Sequence, residues 1–333
     1  MRYGNFSSVV SGRPEFELNI RGEPHTIEVA VKYLKLMSEI CPSLCQKFVH
    51  QLNANKIDAY SISQWKTLFN QQTKAMRDAK TPLSGDWGND QCTADIATII
   101  ITLAYEAAIP NPHVLNLHYA PGSSEVYGET MHDQVRSICD ELQIGADDVF
   151  VDLGSGVGHL VCFVSAYSGC KKAAGIEAAS LPAGYGDRLM RHFRTLMSHF
   201  DKSHGALQLH KGDFLHPRHR NLITNEATVI FINNLRFEET LNRRIQNELL
   251  ENLSEDVKIV TTRPLGNLDP KRVINRRNVG SDFSSMCDTT RLISLPGGVS
   301  WTGKPVDFYL NRINRTKMQQ YYDDLALQRG RKS

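Results

Sequence analysis

Apolar positions in the first third of the chain recur every three or four residues, the spacing that lines one face of a helix. Val29, Val31, Leu34, Leu36, Met37 and Ile40 predict one such helix. Leu44, Phe48, Val49 and Leu52 predict a second, divided from the first by Pro42. A third is predicted from Ser63 through Met76 and a fourth from Thr93 to Ala108, stopped by Pro110 and Pro112. Residues 1–112 are therefore expected to be a mainly helical N-terminal region.

A Pro/Gly/Ser-rich linker over 119–125 leads into Val126-Tyr-Gly-Glu-Thr130 and an amphipathic helix carrying Val135, Ile138 and Leu142. Beyond Gly145 the rhythm changes to short β-branched runs: VFVDL (149–153), AAGIE (173–177), LQLHKGD (207–213), TVIFIN (228–233) and KIVTT (258–262). Helical stretches near 157–168, 182–201 and 238–253 separate them. Continuous apolar strands alternating with helices predict a parallel sheet covered on both faces. Met286–Leu295 and Val306–Ile313 have no crossover helix between them and predict an antiparallel hairpin at the sheet's end.

The composition is that of a globular protein, 41% hydrophobic and 22% charged over 333 residues, which excludes disordered and fibrous classes. Charge is uneven: Lys and Arg number 12 against 18 Asp and Glu in residues 1–150, and 26 against 18 in residues 151–333. A basic C-terminal half suits a polyanionic partner such as DNA phosphates, or is simply a solvated basic surface. The seven cysteines (41, 45, 92, 139, 162, 170 and 287) include no Cys-x-x-Cys pair and are read as reduced thiols of an intracellular protein. The N-terminus lacks a signal-peptide core, and Thr98, Thr102 and Glu106 interrupt the longest apolar run, so no membrane association is expected.

The candidate chemistry lies at the strand ends. VFVDL runs straight into Gly154-Ser-Gly156-Val-Gly158, which opens a helix, so backbone N–H groups face a ligand there. The Gly-x-Gly-x-Gly spacing, with Asp152 just ahead of it, departs from the dinucleotide fingerprint. A carboxylate there repels a pyrophosphate and attracts an ammonium, such as that of a methionine moiety. Glu177 ends the second strand, where it can accept ribose hydroxyls; Asp213 and Phe214 end the third, where they can bond and stack on an adenine. Singly, these acids read as a turn residue, a solvated acid and a helix cap; together on one rim they point to S-adenosylmethionine. Asn233-Asn234 ends the fourth strand, where a transferred methyl would emerge, or caps the helix that follows.

These residues resemble the histone H3 core-lysine methyltransferases named for disruption of telomeric silencing, which lack a SET domain. The resemblance is carried by VYGET (126–130), VFVDLGSGVGH (149–159), GIE (175–177), KGDF (211–214), VIFINN (229–234), INRRN (274–278), VSWTGKPVDFYL (299–310) and RINRT (312–316). It implies the Rossmann-like, seven-stranded class I S-adenosylmethionine-dependent methyltransferase fold, with a catalytic domain over 113–322, a cofactor-closing loop at 119–130 and a sheet core over 149–313. Residues 323–333 would be a short basic tail. It implies methyl transfer to lysine seventy-nine of histone H3 in nucleosomes, hence chromatin regulation and residence in the nucleus.

Carried over by position, Tyr127, Glu129 and Thr130 would close over the methionine part of the cofactor. Asp152, Gly154, Gly156 and His159 would hold it, Glu177 the ribose, and Asp213 with Phe214 the adenine. Asn233 would sit by the methyl, and Phe237, Trp301 and Phe308 would wall the lysine channel. No metal is expected. Four positions depart from the family pattern: His159 for Gln, Phe308 for Tyr, Gly122 for Phe, and Arg236 for a small residue. Arg312, Arg315, Lys317, Arg329, Arg331 and Lys332 are the late basic residues available to DNA, and residues 1–110 could meet a protein partner. The departures leave two alternatives: a methyltransferase for another protein or RNA, or a weakly active cofactor-binding paralogue that docks on chromatin.

Overall fold

The computed structural model describes residues 5–18, 24–41, 59–81, 83–118, 128–266, 268 and 283–330. The second expected helix (Leu44 to Leu52), Gly122, Val126, Tyr127, the INRRN run and Arg331 with Lys332 lie outside the described residues.

Seven strands form one sheet: β3 (Val149–Leu153), β4 (Lys172–Glu177), β5 (Ala206–Lys211), β6 (Val229–Ile232), β7 (Lys258–Thr261), β8 (Cys287–Arg291) and β9 (Tyr309–Ile313). Their order is β5-β4-β3-β6-β7-β9-β8. The first five run parallel, and β9 pairs antiparallel with both β7 and β8, which is the expected hairpin folded into the sheet edge. The sheet is the seven-stranded class I arrangement that the strand runs imply. The order in which strands are added switches sides between β3 and β6, which run parallel, so a crevice opens outside their carboxyl ends, where open α/β sheets bind ligands.

Alternation along the strands supplies two apolar faces. Val149, Val151 and Leu153 point with Ile230, Ile232 and Ile259 to one side, where Ile245, Leu249 and Leu250 cover them. Phe150 points to the other side with Phe231, Val260 and Phe308. There the helices Pro24–Ile40, Ala94–Ala108, His132–Leu142, His159–Tyr167 and Ser180–His199 join one continuous core. The N-terminal helices are thus built onto the sheet domain. The helix Ala94–Ala108 starts where the Thr93 hydroxyl accepts the Ile96 N–H at 3.3 Å, and its Ala97, Ile100, Ile101 and Ala104 are all buried.

Two features differ from the sequence reading. A short antiparallel hairpin, β1 (Asn5–Phe6) with β2 (Phe16–Glu17), precedes the helices. It is anchored by Phe6 and Phe16 against Tyr33, and by His199, which lies 2.7 Å from the Tyr33 hydroxyl and 2.9 Å from the Pro14 carbonyl. Burial pushes His199 down to about 4. At the other end, residues 323–330 continue the helix Thr316–Gly330. Among the described residues no helix is long and apolar enough to cross a membrane.

Candidate active site

A cavity of about 330 Å³ lies at the carboxyl ends of β3, β4, β5 and β6. Its floor is the turn after β3. Gly154, Gly156 and Gly158 have φ of 92°, 56° and 81°, values that a side chain would strain, and the Gly154 and Ser155 N–H groups donate to the Ile176 carbonyl. The turn is therefore pinned to the end of β4 before the helix His159–Tyr167 begins.

Three carboxylates meet there. Glu177 is nine-tenths buried and held at both oxygens, Oε2 accepting from the Gly156 N–H (2.9 Å) and Oε1 from the Ala179 N–H (2.7 Å). Asp152 is 4% exposed, and burial, then the charge of Glu177, lift its carboxyl from 3.8 to about 8. Asp213 uses Oδ1 to accept the Leu215 N–H at 2.8 Å, a bond within a turn, while His216 caps the short helix that follows; Asp213 also lines the cavity. Phe214 and Phe237 present rings 6.4 Å apart and 19° from parallel.

At the end of β6 the paired amides divide their work. Asn234 is 2% exposed and structural: its Oδ1 accepts from the Thr262 and Arg263 N–H groups (3.1 and 2.8 Å), and its Nδ2 donates to Asn242 (3.0 Å). Asn233 lines the cavity, its Oδ1 accepting the Thr262 hydroxyl proton at 3.0 Å. The amide is therefore aimed by a neighbouring strand end rather than left to rotate.

Gly128, Glu129 and Thr130 form the opposite wall. They are laid against the loop after β8: Thr130 bridges Val299, the Ser300 N–H donates to the Glu129 carbonyl (2.8 Å), and the Met131 N–H donates to the Gly298 carbonyl (2.9 Å). Trp301 covers Gly128 so closely that a Cβ there would lie 2.5 Å from its ring. His159 places Nε2 3.2 Å from the Thr130 carbonyl and Nδ1 3.8 Å from Glu129, whose carboxylate also accepts the Tyr105 hydroxyl at 3.2 Å. The N-terminal helical region thus reaches the site through Tyr105.

Residues 105–313 match the family described as histone methylation protein DOT1. The chain belongs to the DOT1 family. A histone-lysine N-methyltransferase of Caenorhabditis elegans, H3 lysine-79 specific, is 41% identical over 89% of this chain and 30% of its own length. Its Drosophila melanogaster counterpart is 32% identical over 89% of this chain and 16% of its own length. The chain therefore spans less than a third of either relative.

In this DOT1-family chain the cavity gathers Glu129, Thr130, Asp152, Gly154, Gly156, His159, Glu177, Asp213, Phe214, Asn233 and Phe237 of the residues singled out by sequence. Tyr127 lies outside the described residues. Trp301 is not in the lining; it is half-buried over Gly128. Phe308, expected as a channel wall, is not in the lining; it is 1% exposed, with its ring 6.3 Å from that of Phe231. Phe308, just ahead of β9, packs into the core shared with Phe231, and Phe231 also lines the cavity. Sequence reasoning missed Phe231, Leu241 and the aiming hydroxyl of Thr262; only the last leaves a trace, as a polar residue at the end of an apolar strand.

Proposed function

We propose that this chain transfers a methyl group from S-adenosylmethionine to a lysine side chain of histone H3, lysine seventy-nine as in the named relatives, in the nucleosome. The observation that carries the reading is the ring of Asp152, Glu177, Asp213 and Asn233 at four successive strand ends around one cavity. The residues present fit the donor. Asp152, buried and short of positive charge, suits the methionine ammonium; Glu177 has two oriented oxygens for the ribose hydroxyls; Asp213 and Phe214 suit the adenine. We place the catalytic unit at 113–322, buttressed by residues 1–112.

When bound, the donor supplies an electrophilic methyl on a sulfonium sulfur. The chain's task is to deliver a neutral amine to it in line, at about 3–3.5 Å. A lysine ammonium has a reference pKa of about 10.4, and the apolar walls of Phe231, Phe237 and Leu241 disfavour its charged form. Asn233, aimed by Thr262, offers a polar group that orients the amine without fixing its proton. Alignment and water exclusion then account for rate without a covalent intermediate.

The basic C-terminal half supports an approach to nucleosomal DNA, and the relatives' substrate supports residence in the nucleus. Arg243, Arg244 and Arg291 sit in exposed ion pairs with Glu239, Glu248 and Asp307. Such pairs are worth about 0–1 kcal/mol and yield readily to phosphate. The test is transfer of labelled methyl to reconstituted nucleosomes. Incorporation into histone H3 is expected, and label only in RNA or another protein would redirect the reading.

A further inference from the structure

We infer that Gln134 is a positioning residue that clamps the Glu129–Thr130 wall of the cavity in place through the loop after β8; the inference rests on the proposed donor site. Gln134 begins the helix His132–Leu142 and is fully buried, an expensive place for an amide unless both ends are bonded. Both are. Its Oε1 accepts the Leu295 N–H at 2.7 Å and its Nε2 donates to the Ile293 carbonyl at 2.7 Å. Farther along the same helix, Glu141 accepts the Ile293 N–H at 3.1 Å.

These bonds fix an irregular segment, and the segment carries the wall. Three residues past Leu295, Gly298 accepts the Met131 N–H; Val299 bridges Thr130; Ser300 exchanges bonds with Glu129; Trp301 covers Gly128. Gln134 follows Thr130 by four residues, so one side chain closes a circuit: cavity wall, helix start, loop after β8, cavity wall. Gly298 is part of the fit, because a Cβ there would stand 2.9 Å from the Gln134 Oε1. Any ligand gripped by Glu129 and Thr130 feels Gln134 without touching it.

The test uses Gln134→Met, which keeps the volume and removes both bonds, and Gly298→Ala, which crowds the amide from outside should the first variant fold poorly. Amide exchange of Met131, Leu295 and Ser300 is expected to quicken about tenfold or more in either variant, with amides of β3 and β6 unchanged. The dissociation constant for S-adenosylhomocysteine is expected to rise about tenfold, as loss of one or two buried hydrogen bonds allows. Unchanged exchange at those three amides, or a uniform quickening across the sheet, would overturn the clamp. Quickened exchange with unaltered affinity would overturn its link to the cavity. Failure of the wild-type chain to bind S-adenosylhomocysteine would sink the donor-site reading instead, while the exchange data would still decide the clamp.

Discussion

Asp152 and Glu177 end neighbouring parallel strands on one cavity, so the charge of Glu177 adds to burial in holding the Asp152 carboxyl near 8. A folded-state value above the ordinary 3.8 means that the fold binds this proton more tightly than the unfolded chain does. Its contribution to stability is complete below about 4 and is lost as pH rises through about 8. Asp152→Asn is therefore expected to stabilise the ligand-free protein at pH 7 by on the order of 1–3 kcal/mol while weakening donor binding. Thermal unfolding with and without S-adenosylhomocysteine checks both signs, and a destabilised free variant would contradict the account.

The same carboxyl makes binding proton-linked. An ammonium beside Asp152 favours its ionised form, so binding at pH 7 is expected to release a fraction of a proton and to tighten as pH approaches 8. Calorimetry in buffers of different ionisation enthalpy measures this directly. Proton uptake, or affinity that weakens over that range, would place the ammonium elsewhere.

Asn233→Ala is expected to abolish methyl transfer almost completely while leaving affinity for S-adenosylhomocysteine within about threefold, because the amide orients the acceptor rather than the donor. Thr262→Val removes the hydroxyl that lies 3.0 Å from the Asn233 Oδ1 and 3.3 Å from that of Asn234, which keeps its bonds from the Thr262 and Arg263 N–H groups, and should cost about tenfold in kcat. Wild-type rates in either variant would remove the pair from the mechanism.

Phe308 separates a core role from a channel role. As a fully buried ring behind Phe231, it should cost about 3–5 kcal/mol of stability when replaced by Ala, read as a lowered Tm. An unchanged Tm with altered acceptor choice would return Phe308 to the channel wall.

Much of this was legible before the fold. The five apolar runs could pair only as a crossover-linked parallel sheet, and that placed Asp152, Glu177, Asp213 and Asn233 on one rim. Other features depend on partners distant in sequence. The strands of the Asn5–Glu17 hairpin are two residues long, too short for alternation to register, and are held by Tyr33 and His199. The burial of Phe308 behind Phe231 depends on which side of the sheet it faces, which a run of apolar letters leaves open. Nothing in the sequence singles out Gln134, whose partners are the Ile293 and Leu295 backbone, 159 and 161 residues on. The boundary at residue 322 marks the extent of the family resemblance, and the helix Thr316–Gly330 runs across it.

His159 lines the cavity, touches the Thr130 carbonyl and lies beside Glu129. His159→Gln is expected to keep activity within about tenfold, since an amide can also donate to that carbonyl. Complete loss would assign His159 a role of its own in the reaction.

The central claim is acceptor identity. The most direct measurement is transfer of labelled methyl by the wild-type chain to reconstituted nucleosomes, to free histone H3, and to nucleosomes in which lysine seventy-nine of H3 is replaced by arginine. Label on intact nucleosomes that disappears with the replaced lysine is the expected result; equal label on the replaced nucleosomes, or label on free histone alone, would contradict it.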